Sequence, residues 1–422
     1  MVNQYSVENF KIHKKSELLR FEGLTVLAGA NNSGKTSLIQ SLRVLAKMAT
    51  SQTPLIYLPL EQMDELGNLK DTLNKGVNRS EMICYQFQLE GSQNKECLVS
   101  LKFGSSLTLN EINQVMRQEQ AVLKEFTLRF IYDNVAREFC FKLQDREYQV
   151  LTTYAMYEIR DGKEFFLEDV GMYKFLIMSH ILQINEQELK DELNQWLAIM
   201  MSLNENKIRY LGPYRMISKT FKGNDNLLME ANGSNSAELL SKNGDVVIFD
   251  GETTLRDAFG SWARKILGCE IQAKYEQEEY RLITAEEGIE FGIHQIGFGN
   301  TQILPVILQV LLAKKGDLVI IENPEVHLHP RWKAELVELF YYAIEHGVKL
   351  IVETQSVEIV TRIRLKVKEN PQLESLTNLY FFEKKGFESD ITFIEIEKTG
   401  RLSVWPKNFL DEVMMEDSVK LI

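Results

Sequence analysis

Gly29-Ala30-Asn31-Asn32-Ser33-Gly34-Lys35-Thr36 is the stretch that decides how this chain reads. It follows a short apolar run, Leu24–Ala28, and opens a segment, Thr36–Ala49, with apolar residues at helical spacing (Leu38, Ile39, Leu42, Leu45). Strand, glycine-rich turn and helix in that order fit the pattern GxxxxGK[ST] without a gap. The glycines let the backbone curl so that successive N–H groups converge on a phosphate, helped by the positive end of the following helix. On this reading Gly29, Asn31, Asn32, Ser33, Gly34 and Ser37 cradle nucleotide phosphates. Lys35 reaches the β- and γ-phosphates, and the Thr36 hydroxyl ligates Mg²⁺. No N-K-x-D motif for reading guanine occurs, so ATP with Mg²⁺ is the expected pair.

A second block, Asp317-Leu-Val-Ile-Ile-Glu322-Asn323-Pro324-Glu325-Val-His327-Leu-His329-Pro330, is an apolar strand ending in a carboxylate. Such a carboxylate holds Mg²⁺ directly or through water, which makes Glu322 the metal-side partner of Thr36. Upstream, Gly297-Phe298-Gly299-Asn300-Thr301-Gln302 opens an apolar helix whose free N–H groups can meet a phosphate. By itself a GxG before a helix reads as a plain loop; a family resemblance is what makes Gly297, Gly299 and Thr301 candidate contacts. His327 and His329 lie two apart on a loop with no nearby cysteine or third histidine, so a loop role is preferred over a metal site.

These blocks resemble the SMC-like branch of the ABC ATPases, the group holding recombination and break-repair ATPases and OLD-type phage-defence proteins. More narrowly, the chain is similar to bacterial stand-alone ATPases with an IExPExHLHP block and a terminal WPxxF element, here Trp405-Pro406-Lys407-Asn408-Phe409. The resemblance covers residues 1–80 and 206–412. It implies an α/β P-loop nucleotide hydrolase of ABC type: a two-lobed head with a central, mostly parallel sheet, an antiparallel β subdomain and a helical insertion. It also implies that ATP clamps two copies together, with Gly297–Gln302 standing in for the signature and Val326–Pro330, His327 included, for the D-loop. Glu322 takes the Walker B role.

Two positions depart from an efficient hydrolase. Where many relatives carry a glutamate after the Walker B acid, Asn323 stands here, and an amide orients water without taking its proton. Glu325 is the candidate substitute. The usual histidine of the switch block reads Gln355 in Glu353-Thr354-Gln355-Ser356, which hydrogen-bonds a phosphate but carries no charge. Both changes imply an ATPase with slow turnover.

The rest of the chain sets bounds. A length of 422 residues exceeds one small core, and 44% apolar with 26% charged residues is ordinary for a globular protein. A net charge of −12 argues against a broad DNA-binding surface. Cys84, Cys97, Cys140 and Cys269 form no CxxC pair and read as reduced thiols. The opening residues show no secretory signal and no run is long enough to span a bilayer, so a cytoplasmic location is expected. Pattern changes divide the chain into an N-terminal ATPase lobe (1–80), an inserted β-rich and helical region for a partner or target (81–205), a C-terminal ATPase lobe (206–377), and terminal strands with the WPxxF tail (378–422). Within the insertion, Leu109–Lys124 and Tyr173–Leu203 read as helices, the latter without the heptads of a long coiled coil. Gly67–Asp71 reads either as a Q-loop-like connection or as a surface turn, and Arg362–Lys368 either as a solvated helical face or as a nucleic-acid or partner strip. No nuclease constellation is visible. The leading expectation is an ATP-gated dimeric sensor that regulates a separate effector, with a nuclease among the candidates, in antiphage defence. A DNA-binding repair ATPase and a nucleotide-binding scaffold are the alternatives.

Overall fold

Three sheets organise the chain, which a computed structural model describes over residues 2–50, 57–63, 65–78, 80–91, 95–108, 118–144, 152–173, 176–177, 187–224, 227–286, 288–295 and 297–406. The fold is α/β, with two compact units interleaved in sequence. One draws on residues 1–20, 37–205 and 384–390; the other draws on 21–36, 206–383 and 391–422. Residues 1–80 therefore contribute to both, and the phosphate loop goes to the second.

The first unit holds a ten-stranded sheet. It starts with β1 (Val2–Phe10), β2 (His13–Lys15) and β3 (Leu19–Arg20). The chain then enters the second unit as β4 (Leu24–Gly29) and returns through α1 (Lys35–Thr50) and a short α2 (Leu69–Thr72). The sheet continues with β5 (Ile83–Glu90), β6 (Glu96–Thr108), β7 (Gln118–Tyr132), β8 (Val135–Leu143), β9 (Thr152–Arg160), β10 (Lys163–Tyr173) and β11 (Leu176–Ile177). From β5 to β11 each strand lies beside the next, and β5 also pairs with β1. Alternation explains the arrangement. Ile83, Tyr85, Phe87 and Leu89 of β5 are buried while Gln86 and Glu90 face solvent, as a half-buried antiparallel strand requires. Phe126 and Phe141 stack across β7 and β8 at 4.3 Å. Helix α3 (Gln187–Met201) buries Trp196, whose ring lies 6.3 Å from that of Phe130.

Two helical expectations are corrected here. Residues 118–124 are strand, the first part of β7, while 109–117 lie outside the described residues. The β6–β7 register skips Lys124, a β-bulge that moves the buried face from Ala121 and Leu123 to Phe126 and Leu128, while Val122 between them is buried where Tyr57 bridges it and the Leu58 N–H donates to the Ala121 carbonyl. Residues 173, 176 and 177 are also strand, and the helix begins only at Gln187. The β9–β10 hairpin, unread in the sequence, turns at Asp161-Gly162, both at positive φ, the signature of a tight hairpin turn. Gly67–Asp71 is a capped turn of helix in this unit: the Asn68 side chain accepts from the Asp71 N–H, and the Asp71 carboxylate accepts from the Asn68 N–H.

The second unit is built on a six-stranded sheet, in the order β12 (Ile208–Leu211), β16 (Leu318–Glu322), β17 (Lys349–Glu353), β4, β18 (Thr377–Lys385) and β19 (Glu388–Ile394). The first five are mutually parallel. Every residue of β4 and of β16 is buried, as expected for strands covered on both faces. Helices α4 (Ser236–Asn243), α5 (Leu255–Leu267), α6 (Phe298–Leu311), α7 (Pro330–Glu345) and α8 (Val357–Glu369) contribute to one apolar core. A small antiparallel sheet of β13 (Ile271–Glu276), β14 (Glu279–Glu286) and β15 (Ile289–Gly292) adjoins α4 and α5. Among the described residues no helix exceeds 16 residues, so no long coiled coil is present, and none is long and apolar enough to cross a membrane.

The basic strip lies on α8, and three of its four cations, Arg362, Arg364 and Lys366, are engaged within the unit. Arg362 and Lys366 pair with Glu338 of α7 at 2.6 and 2.9 Å. Arg364 donates to the Gly400 carbonyl and sits over the Trp405 ring. Of the WPxxF element, Trp405 and Pro406 are described; Lys407, Asn408 and Phe409 lie outside the described residues.

Candidate functional site

The carboxyl ends of β4, β17 and β16 converge, and the order of these strands decides the chemistry. Because β17 lies between β4 and β16, the phosphate loop does not border the strand of Glu322. Register pairs Glu322 with Glu353, the last residue of β17, and Glu353 in turn with Leu27 of β4. Glu353 therefore sits between the loop and the expected metal-side acid. It is 4% exposed, and its Oε1 lies 3.8 Å from Lys35 Nζ. The Thr36 hydroxyl donates to the same carboxylate, at 3.2 Å to Oε2.

The loop adopts the conformation its glycines permit: Gly29, Asn32 and Gly34 all have positive φ. Lys35 is 3% exposed, and its ammonium donates to the carbonyls of Gly29 (2.9 Å) and Ala30 (2.8 Å), folded back on its own loop. Burial lowers its pKa, while Glu353, Glu322 and Glu325 act in the opposite direction. At Gly29 a side chain has no room, since a Cβ would collide with the Phe382 carbonyl of β18, and φ is +139°. Gly29→Ala is thus expected to destabilise the protein by about 3 kcal/mol, from clash and backbone strain together. A urea-denaturation difference under about 1 kcal/mol would contradict this geometry.

Glu322 accepts a hydrogen bond from the Tyr210 hydroxyl of β12 at 2.8 Å. It also faces the Glu353 carboxyl, and this pairing favours the protonated form of Glu353. Burial, and after it the facing Glu322, push the Glu353 carboxyl up to about 7, with Lys35 and the Thr36 hydroxyl opposing. The donor set of one hydroxyl and two carboxylates beside a buried ammonium suits Mg²⁺, which takes hard oxygen ligands and completes its shell with phosphate and water. Thr36, Glu353 and Glu322 would hold the ion, and its charge would neutralise developing negative charge on transferring phosphate.

Asn323 has φ +44°; its N–H donates to the Glu353 carbonyl at 2.8 Å. Glu325 is 9% exposed and accepts through Oε1 from the Thr354 hydroxyl (2.7 Å) and the Gln355 N–H (2.9 Å), while Oε2 is buried without a partner. One oxygen thus fixes the turn after β17 and the other is left over. The Gln355 amide donates to Asn31 of the phosphate loop at 2.6 Å.

Gly297, Gly299, Thr301 and His327 form a second group at the opening of α6. Gly297 has φ +113° and precedes the helix. At Gly299 an added Cβ would sit 3.1 Å from the His327 carbonyl, so the helix start packs tightly on the loop after Glu325. Thr301 is buried. His329 caps α7, its Nδ1 accepting from the Arg331 N–H at 3.3 Å.

Sequence reasoning missed Glu353, Tyr210 and Arg215 as members of the site. The signal for Glu353 was present: Lys349–Glu353 is an apolar strand ending in a carboxylate, like Leu318–Glu322. Arg215 gives no such signal. Its guanidinium donates to the carbonyls of Gly212, Glu322 and Asn323 at 3.0, 2.9 and 2.8 Å.

A family model described as an AAA ATPase domain matches residues 1–360, and one described as a protein of unknown function matches residues 374–417. No curated protein matches the chain. Among solved structures, the chain is similar to an Smc head bound to the C-winged helix domain of ScpA, at 11% identity, 94% of this chain, 98% of that chain and TM-score 0.48. It is similar to the SMC head domain from Thermotoga maritima, at 10% identity, 93% and 99% coverage and TM-score 0.44. A third is the Smc head domain with an extended coiled coil bound to the C-terminal domain of ScpA derived from Pyrococcus furiosus, at 10% identity, 99% coverage of each chain and TM-score 0.48.

Proposed function

We propose that this chain, which belongs to the AAA ATPase domain family, works as an ATP-gated clamp: two copies close on ATP, hydrolyse it slowly, and regulate a separate effector protein. The observation that carries the reading is the meeting of Lys35, Thr36, Glu353 and Glu322 at the carboxyl ends of three parallel strands. This is where open α/β sheets bind ligands, and each group matches a need of phosphate or Mg²⁺.

Lys35 offers a positive charge to the phosphates once it leaves the carbonyls of Gly29 and Ala30. Gln355, now on Asn31, reports at the same loop on whether a terminal phosphate is there. Slow turnover follows from what surrounds the water position. Asn323 carries no base, and Glu325 has one oxygen committed to Thr354 and Gln355. Its free Oε2 makes it the best remaining acceptor for the water's proton. At the opening of α6, Gly297, Gly299 and Thr301 would meet the second copy's terminal phosphate, with His327 beside them. The effector role rests on the motif resemblance, which also supports a place in antiphage defence. The engagement of Arg362, Arg364 and Lys366 of α8 favours this regulator over a nucleic-acid-binding ATPase.

The test is sedimentation of the purified chain with and without Mg²⁺-ATP, alongside its steady-state turnover. An ATP-dependent dimer with turnover below about 1 s⁻¹, the low end for enzymes, is the expected result. A monomer at saturating ATP, or turnover of tens per second, would sink the clamp.

A further inference from the structure

We propose that Arg215 and Gln302 are positioning residues that join the acid end of β16 to the N-terminal part of α6, so that the state of one phosphate site reaches the helix end facing the second copy's nucleotide. This rests on the clamp reading above and adds the path by which it works.

The path is short and continuous. The Arg215 side chain grips the carbonyls of Glu322 and Asn323, the acid and the residue after it. The Arg215 backbone carbonyl accepts from the Gln302 amide at 2.7 Å. Gln302 opens the second turn of α6 and is 3% exposed. Any shift of the Glu322–Asn323 peptide, as phosphate and metal arrive or leave, must move Arg215, and through it the α6 opening. Gly212 and Met216 tether this segment on either side, donating to the carbonyls of Ala231 and Asn232, so motion is delivered at Arg215 itself.

A merely structural joint would not need this residue. Arg215 is 3% exposed, and the carboxylate acting on it, Glu325, is bonded instead to Thr354 and Gln355. Burying a guanidinium against carbonyls is costly, and its Nε is left with no partner. A planar fork, however, holds two successive carbonyls with donors in a fixed geometry, which fixes the orientation of the peptide after Glu322. Its neighbours Tyr214 and Met216 are 88% and 65% exposed, so Arg215 is turned inward from an otherwise open loop.

The experiment uses the full chain and three measurements: ATP affinity, kcat with KM, and ATP-dependent dimerisation. Gln302→Met keeps size and removes the donor. It should bind ATP within about threefold of the unsubstituted protein and melt at the same temperature, yet lose at least about tenfold in kcat with KM little changed. Gln302→Glu keeps the shape but faces the Arg215 carbonyl with an acceptor. Its kcat, relative to the unsubstituted protein, should be low at pH 8 and recover as pH falls and the carboxyl regains an O–H donor. Unchanged kcat in Gln302→Met overturns the proposal. If that variant fails to fold, a pH-independent ratio for Gln302→Glu overturns it. Hydrolysis absent from the unsubstituted chain, or surviving in Lys35→Ala, would instead overturn the clamp reading and this path with it.

Discussion

Lys35→Ala is expected to lower ATP hydrolysis by about 10²–10³-fold, the range seen when a preorganised donor to developing charge is removed. It should also abolish the rise in melting temperature on adding ATP; in the unsubstituted protein, ATP at a hundred times its Kd should add about 2.7 kcal/mol of stability. The argument is electrostatic. Lys35 lies among Glu353, Glu322 and Glu325 with almost no exposure, and it is the cation that acts on all three. Bringing a polyphosphate to such a site without the ammonium places like charges together in a poorly solvated cleft. The fold should survive, because Glu353 can keep its proton to a higher pH when the opposing ammonium is gone. Far-ultraviolet dichroism and a melting curve check that point. Hydrolysis persisting at the unsubstituted rate would mean that Gly29–Thr36 is not the phosphate site.

Glu353→Gln separates stability from activity. Burial and the facing Glu322 hold the Glu353 carboxyl near 7, above its ordinary value of 4.5. A carboxyl raised in the folded state contributes stability that is fully present below about pH 4.5 and is lost as pH rises through about 7. The groups facing it are Lys35 and Thr36 at the start of α1 and Glu322 on β16, with Tyr210 bonded to Glu322 from β12. Glutamine mimics the protonated carboxyl at every pH. The nucleotide-free variant should therefore lose the pH dependence across this window and exceed the unsubstituted protein above pH 7 by on the order of 3 kcal/mol. Hydrolysis should fall by at least about a hundredfold, since a carboxylate that would hold Mg²⁺ is replaced by a neutral amide. Denaturation at pH 5 and pH 8, paired with ATPase assays, gives both readings. A variant equally sensitive to pH would show that Glu353 does not carry the proton, and one with full activity would remove it from the metal site. Gain of stability with loss of activity is the expected behaviour where function requires charges held apart from solvent.

The sequence by itself determined what local pattern can determine. Gly29–Thr36 announced a phosphate loop because spacing, glycines and the flanking strand and helix are all local features. The apolar run ending at Glu322 announced a strand, and the structure shows it as β16, buried throughout. The sequence failed where pairing set the outcome. Residues 118–124 belong to a strand bulged at Lys124 and covered at Val122 by Tyr57, and no local period encodes a bulge or a distant cover. Strand order was likewise invisible. Only the tertiary structure inserts β17 between β4 and β16, and that placement brings Glu353, not Glu322, to the Thr36 hydroxyl. Arg215 shows the same limit more sharply. Its partners at Glu322 and Asn323 lie 107 and 108 residues away in the chain. Nothing around Gly212–Met216 foretells them, because a hydrogen bond to a main-chain carbonyl leaves no mark on the identity of the residue that accepts it.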